Sequence, residues 1–237
     1  AAAAADADFV MEAVFEDVEV KRQVLRELDA AAPARTVFAS NTSGLDVNQM
    51  GPATRRPDRV IVAHFSNPPH IVPVVEVVKG EETSEETLSL TVDILRKIGK
   101  HPIVIRHHIA GFIWNRLQYA MFREAVGLVQ KGVASPEDID AVIKLGLGRR
   151  YTTVGPLETG DVNGLDLFHK IAQYLYQELD DAKGPHPVHS KLIAEGAKGV
   201  RSGRGFYDWS GGKAEAIRKR RDAELIRWLK ADRAEGR

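Results

Sequence analysis

Two patterns of apolar spacing divide this chain, and the change between them constrains its fold more than any other feature. From residue 9 to residue 105, short apolar runs alternate with amphipathic stretches. This is the signature of strands linked by helices in a largely parallel sheet. The runs FVMEAVF (9–15), TVFAS (36–40), VIVAHF (60–65), IVPVVEVV (71–78) and HPIVI (101–105) read as strands. The intervening stretch 18–31 places Val20, Val24, Leu25 and Leu28 on one helical stripe. Ser84, with Glu85 and Glu86 behind it, reads as the N-cap of a helix that runs to Ile98 and is closed by Gly99. Beyond Gly111 the spacing is helical, over 112–131, 136–145, 165–179 and 188–197. The expected fold is therefore α/β, a partial Rossmann-type domain with a largely parallel sheet over 1–108, followed by an all-α domain over 109–237.

The chemistry concentrates where two strands meet. HFSNPPHIVPVVE (64–76) sets an imidazole, His64, and a carboxylate, Glu76, at the ends of two apolar runs. A carboxylate in such a run needs a partner, and a neutral histidine can donate one ring N–H to it. That makes a proton-transfer couple; a structural histidine beside a strand-end glutamate accounts for the same residues. The loop Ser40-Asn41-Thr42-Ser43-Gly44 lies at the carboxyl end of its strand, the edge at which open parallel sheets bind ligands. Ser43 there is either a ligand-facing hydroxyl or the cap of the turn at Gly44.

Composition removes several classes of function. Thirty-three basic and thirty-three acidic residues cancel, which leaves no global charge for nucleic acid or an anionic membrane. The basic cluster at 218–221 is neutralised by Glu215, Asp222 and Glu224, so the charged tail reads as a solvated helix. The absence of cysteine excludes disulfides and thiolate chemistry and suits a reducing cytoplasm. No apolar run approaches the roughly eighteen residues needed to span a bilayer. Adjacent His107 and His108 would diverge on a strand and no HExxH pattern occurs, so no metal site is expected. No glycine precedes Gly44, so this chain holds no loop that could cradle a pyrophosphate. The five alanines at its start read as a placeholder or helix remnant.

In the order VMEAVFEDVEVK (10–21), ASNTSGL (39–45), HFSNP (64–68), VEVVKG (75–80), GFIWNR (111–116), ASPEDIDAVIKLGLG (134–148), VGPLE (154–158) and SGRGFYDW (202–209), the chain resembles the NAD-dependent L-3-hydroxyacyl-CoA dehydrogenase family. Members open with a Rossmann glycine loop, so roughly eighty residues of that domain, with the ribose-reading acid among them, are expected upstream of this sequence. The resemblance implies NAD as cofactor, oxidation of a secondary alcohol, and a homodimer formed through the helical domain. It implies His64 as the catalytic base, Glu76 as the acid paired with it, and Ser43 and Asn115 as residues that hold substrate. Glu16, Lys21, Ser43, Asn67 and Arg201 match cofactor-side positions, Lys21 also matching a CoA contact. Arg201 stands where the family usually has lysine.

Two departures bear on the substrate. After the family's usual HFFNP comes VPVMK, whereas here Pro68 is followed by Pro69-His70-Ile71-Val72-Pro73, and Pro73 replaces the lysine. Arg149-Arg150-Tyr151-Thr152-Thr153 lengthens the turn before Gly155-Pro156. Both features are similar to the branch containing lambda-crystallin, L-gulonate 3-dehydrogenase and carnitine dehydrogenase, whose enzymes oxidise hydroxy acids or related alcohols that carry no CoA. The leading expectation from the resemblance is oxidation of an L-3-hydroxyacyl-CoA to the 3-ketoacyl-CoA; the alternatives are a hydroxy acid or hydroxymethyl compound without CoA, and a crystallin-like structural role without catalysis.

Overall fold

Five strands form one sheet whose spatial order follows the chain: β1 (Phe9–Glu12), β2 (Val37–Ser40), β3 (Val60–Phe65), β4 (Val74–Val78) and β5 (His101–Ile105). The computed structural model describes residues 2–236; Ala1 at the head of the alanine run and Arg237 at the end of the charged tail lie outside the described residues. Within the run, Ala2–Ala4 make a single 3-10 turn, with Ala4 buried. β2 pairs parallel with β1 and β3, and β4 pairs parallel with β5, but β3 and β4 are antiparallel. The connection 66–73 explains that reversal, because a parallel return needs a crossover of a dozen or more residues. The sheet is thus largely parallel with one antiparallel step, and that step sets His64 directly opposite Glu76.

Helix α1 (Val18–Ala31) begins because Asp17 caps it, accepting the amides of Glu19 and Val20. Its buried face differs from the apolar stripe expected of it: Val20 is exposed, while Lys21, Leu25 and Asp29 are buried. Both charges are accommodated by partners, Lys21 by Glu12 and Asp29 by Arg55 and Arg56. Short α2 (Val47–Met50) and α1 cover one face of the sheet, where Leu25, Phe38, Val47, Met50, Val60 and Val62 pack together with Phe112. Helix α3 (Glu85–Lys97) covers the other, against Val37, Ala39, Ile61, Ala63, Val75 and Val77. The period of two along β3 and β4 therefore places His64 and Glu76 on the α1 side, in line with Val60, Val62 and Val78.

Two expected strands are shorter in the structure. β1 stops at Glu12, whose carboxylate is used internally, and Phe15 beyond it is exposed. β4 starts at Val74 because the amides of Ile71 and Val72 both turn back to the Pro68 carbonyl. His107 and His108 follow the end of β5 and are not part of the strand.

By packing, the chain divides into two units, one taking in the sheet up to Leu117 together with the segment from Lys219, the other Gln118–Arg218. The break falls inside α4 (Trp114–Gln130), whose first turn is fastened to the sheet. The second unit continues with α5 (Pro136–Val142), a π-helical turn over Ile143–Leu147, α6 (Gly148–Arg150), α7 (Pro156–Asn163), α8 (Leu165–Glu178) and α9 (Pro187–Ala194). Asp180, after α8, donates its amide to Glu124 on α4 and pairs with His186 at 2.7 Å. The last helix, α10 (Lys213–Ala234), carries local pairs such as Arg227 with Glu224.

Asp29 gives the fold a test. Burial pushes its carboxyl up, but the hydrogen bonds from Arg55 and Arg56 outweigh that effect and hold it below the ordinary aspartate value. Asp29→Asn should lower the unfolding free energy by about 2–3 kcal/mol, measured by urea denaturation at neutral pH, since it strips two guanidinium groups of their shared counter-ion.

Candidate active site

Glu76 is 2% exposed and His64 7%, and Oε2 of the carboxylate lies 2.9 Å from Nδ1 of the imidazole. The other oxygen, Oε1, accepts the backbone amides of Ile113 and Trp114, each at 2.8 Å, at the start of α4. A helix N-terminus favours negative charge, so this acid sits where backbone dipole and imidazole act together. Burial pushes the Glu76 carboxyl up; the His64 hydrogen bond and the Trp114 and Ile113 amides outweigh it and hold the group below its ordinary value. With an ionised acceptor on Nδ1, the neutral ring carries its proton there and leaves Nε2 as the basic nitrogen.

The turn into α4 is built for this contact. Gly111 has φ +79° and Phe112 φ +51°, a left-handed step that costs a non-glycine residue about 1–2 kcal/mol. Phe112 is fully buried in the core beside the sheet, with its ring 5.7 Å from that of His64. The strained step turns the chain so that the next two amides meet Glu76.

The serine loop follows β2. Ser43 is exposed, and its backbone is held on both sides: its amide donates to Glu16 Oε1 at 2.8 Å and its carbonyl accepts from Asn115 Nδ2 at 3.0 Å. Thr42 also donates its hydroxyl to Glu16, and Asn41 Oδ1 accepts the amide of Phe65, the residue after His64. The structure therefore brings two groups together at the end of the sheet, His64 with Glu76 and Ser43 with Asn115, Glu16 and, through an ion pair, Lys21, joined by the main chain from Trp114 to Asn115. Asn67 is exposed on the loop leaving β3, where it precedes the cis peptide to Pro68. Arg201 lies in the second unit, lining with Phe122, His189, Phe206 and Trp209 a cavity of about 540 Å³. Lys21, a cofactor-side position by resemblance, is buried, its side chain 1% exposed and paired with Glu12.

Sequence reasoning missed Glu12, Asn41 and Ser66. Glu12 was detectable, since FVME ends an apolar run on a carboxylate just as VVE does at Glu76. Asn41 and the two α4 amides act through backbone contacts between distant segments, for which a sequence carries no local sign. Ser66 is buried and its hydroxyl meets no partner among the described residues; buried polar groups of that kind are ones a ligand or water satisfies. Among the described residues no group of three or more His, Cys, Asp or Glu side chains is placed to hold a metal ion. No described helix is long and apolar enough to cross a membrane.

Comparison with known proteins bears on this arrangement. Residues 1–108 match the family model for the NAD binding domain of 3-hydroxyacyl-CoA dehydrogenase, and residues 111–209 match that for its C-terminal domain. The chain is 40% identical over 204 residues to a probable 3-hydroxybutyryl-CoA dehydrogenase of Bacillus subtilis (strain 168), covering 86% of this chain and 70% of that protein. It is 34% identical over 224 residues to the 5-formyl-3-hydroxy-2-methylpyridine 4-carboxylate 5-dehydrogenase of Mesorhizobium japonicum, covering 94% of this chain and 72% of that one. A solved structure of an enzyme of that activity, described as an NAD+-dependent dismutase, aligns with a TM-score of 0.91 at 33% identity, over 97% of this chain and 74% of that chain. The (S)-3-hydroxybutyryl-CoA dehydrogenase of Ralstonia eutropha aligns at 0.69 and 34% identity, over 86% and 71%.

These matches, together with the fold, define an NAD-binding α/β dehydrogenase with a helical second domain. The chain belongs to the 3-hydroxyacyl-CoA dehydrogenase family. Its cofactor is NAD, and the residues present fit the nicotinamide end of that molecule. The carboxyl ends of β1, β2 and β3 share one edge of the sheet, and the exposed Ser43 and Asn67 follow two of them.

The acid limb of stability tests the Glu76 environment. A carboxyl held below its unfolded value contributes stability that is complete above the unfolded value and is lost as pH falls through the folded one. Glu76→Gln should therefore show an unfolding free energy that varies less than the wild type's between about pH 5 and pH 3, measured by urea titration at each pH.

Proposed function

We propose that the chain oxidises an L-3-hydroxyacyl-CoA to the 3-ketoacyl-CoA, with His64 as general base and Glu76 as the group that orients it. The observation that carries this reading is the buried 2.9 Å contact between His64 Nδ1 and Glu76 Oε2, at the same end of the sheet as Ser43 and Asn115. NAD, when bound, supplies the acceptor for the hydride that leaves the carbinol carbon. His64 Nε2 takes the hydroxyl proton, and the electron pair of the broken O–H bond stays on oxygen to form the carbonyl. The imidazolium that results lies against an ionised carboxylate already held by two amides, so the charge develops where a counter-charge is fixed in advance. Ser43 and Asn115 hold the substrate oxygens; Asn115 uses one N–H on the Ser43 carbonyl and retains the other. Glu16 and Asn67 serve the cofactor, with the buried Lys21 behind Glu16 as its support.

A second reading changes the substrate alone, to a hydroxy acid or hydroxymethyl compound without CoA. It is supported by the 66–73 loop, in which Pro73 replaces the family's lysine and Ser66 puts a buried, unpartnered hydroxyl where HFFNP has phenylalanine. The TM-score of 0.91 to the pyridine-carboxylate enzyme points the same way.

Residues 109–237 serve the substrate and form a homodimer, in an enzyme that works in the cytoplasm. Support comes from the apolar surface of the helical unit, where Leu157 is 85%, Val162 77% and Tyr176 74% exposed, more than a lone soluble domain commonly carries. Sedimentation should then give twice the chain mass, and substitution of Leu157 and Val162 by serine should shift it toward the monomer.

Steady-state kinetics with NAD test the chemistry. His64→Asn should lower kcat by about a thousandfold and Glu76→Gln by about a hundredfold or more, with the fold intact by circular dichroism. Turnover of 3-hydroxybutyryl-CoA exceeding that of gulonate, carnitine and hydroxymethylpyridine carboxylates supports the first reading, and the reverse order supports the second.

A further inference from the structure

We propose that Glu12 is a positioning residue for the serine loop, acting through Lys21 and Glu16; the proposal rests on the reading of Ser43 as a substrate-side and cofactor-side group. Glu12 ends β1 and is 3% exposed. Its Oε1 accepts the amide of Val14 at 2.6 Å and Lys21 Nζ at 2.9 Å, and its Oε2 accepts the Ser40 hydroxyl at 2.6 Å. Lys21 also donates to the Val14 carbonyl at 3.2 Å and lies 3.5 Å from Glu16 Oε2. The opposite oxygen of Glu16 holds the amide of Ser43. Charges therefore alternate, carboxylate, ammonium, carboxylate, from a buried anchor at the end of β1 to the exposed loop.

The order of burial gives the chain its direction. A buried ammonium must keep a counter-charge, and Glu12 supplies it from a fixed strand, while the half-exposed Glu16 is free to move. The Glu12 carboxylate holds Lys21 centrally, and Lys21 steadies Glu16 at a distance that leaves Glu16 Oε1 for the loop. With glutamine at position 12, the nearest remaining carboxylate for Lys21 is Glu16, which is then drawn inward and releases Thr42 and Ser43. Glu12 also reaches the loop along a second route, since the Ser40 hydroxyl that it binds lies 3.4 Å from the amide of Thr42. A counter-ion that served stability alone would have no such effect on Ser43.

The experiment compares Glu12→Gln, which keeps the shape and the acceptor oxygen, with the double variant Glu12→Gln/Lys21→Met, which removes both buried charges. Thermal midpoint, KM and kcat for NAD and for the alcohol, and amide hydrogen exchange over residues 40–45 are read on each purified protein. Glu12→Gln is expected to raise KM about tenfold and to speed exchange at Ser43. The double variant is expected to recover the thermal midpoint but neither KM nor Ser43 protection, because Glu16 has then lost the ammonium that steadies it. KM and Ser43 exchange within about twofold of wild type in Glu12→Gln, or both recovering with the midpoint in the double variant, overturns the proposal. A wild-type protein without dehydrogenase activity would defeat the functional reading instead, and the exchange data would still decide whether Glu12 places Ser43.

Discussion

A single buried carboxylate organises the functional end of this molecule. Glu76 joins two elements that lie far apart in sequence, the β3 strand through His64 and the start of α4 through two backbone amides. A charge so deeply buried would be driven to neutralise without those partners. Each partner in turn acquires a fixed position: the imidazole its tautomer, and the helix its point of entry. The left-handed step at Gly111 and Phe112 is the conformational cost of that arrangement, and the two amide hydrogen bonds offset it.

The antiparallel step between β3 and β4 makes the contact possible. A parallel return would need a crossover of a dozen or more residues, whereas the short connection 66–73 reverses the chain and sets His64 against Glu76 in register. The same loop carries one of the two departures from the family pattern, so the segment that sets the register of His64 and Glu76 is also one where the sequence varies. A change of sequence there need not disturb the couple, because Glu76 is anchored from the α4 side.

Much of this was legible in the sequence. The strands VIVAHF and HPIVI and the helix at 18–31 declare themselves by period and capping, and the run VVEVV flags Glu76 because a carboxylate there demands a partner. Other parts were not legible for physical reasons. The buried face of α1 contains Lys21 and Asp29, and a pattern based on hydrophobicity discards charged residues even when ion pairs bury them. The stop of β1 at Glu12 depends on a lysine nine residues on, and the fastening of α4 depends on main-chain amides that have no residue signature. The mixed sheet was hidden because an apolar run does not state its direction; only the length of the connection does.

The central claim is that Glu76 fixes the ring of His64 with its proton on Nδ1, leaving Nε2 to act as base. Nitrogen-15 NMR of the histidine side chains at neutral pH tests it most directly. The account predicts that His64 gives a protonated Nδ1 with a strongly downfield proton and an unprotonated Nε2, both altered in the Glu76→Gln protein. A ring protonated on Nε2, or one that exchanges freely between tautomers and is indifferent to Glu76, would contradict it.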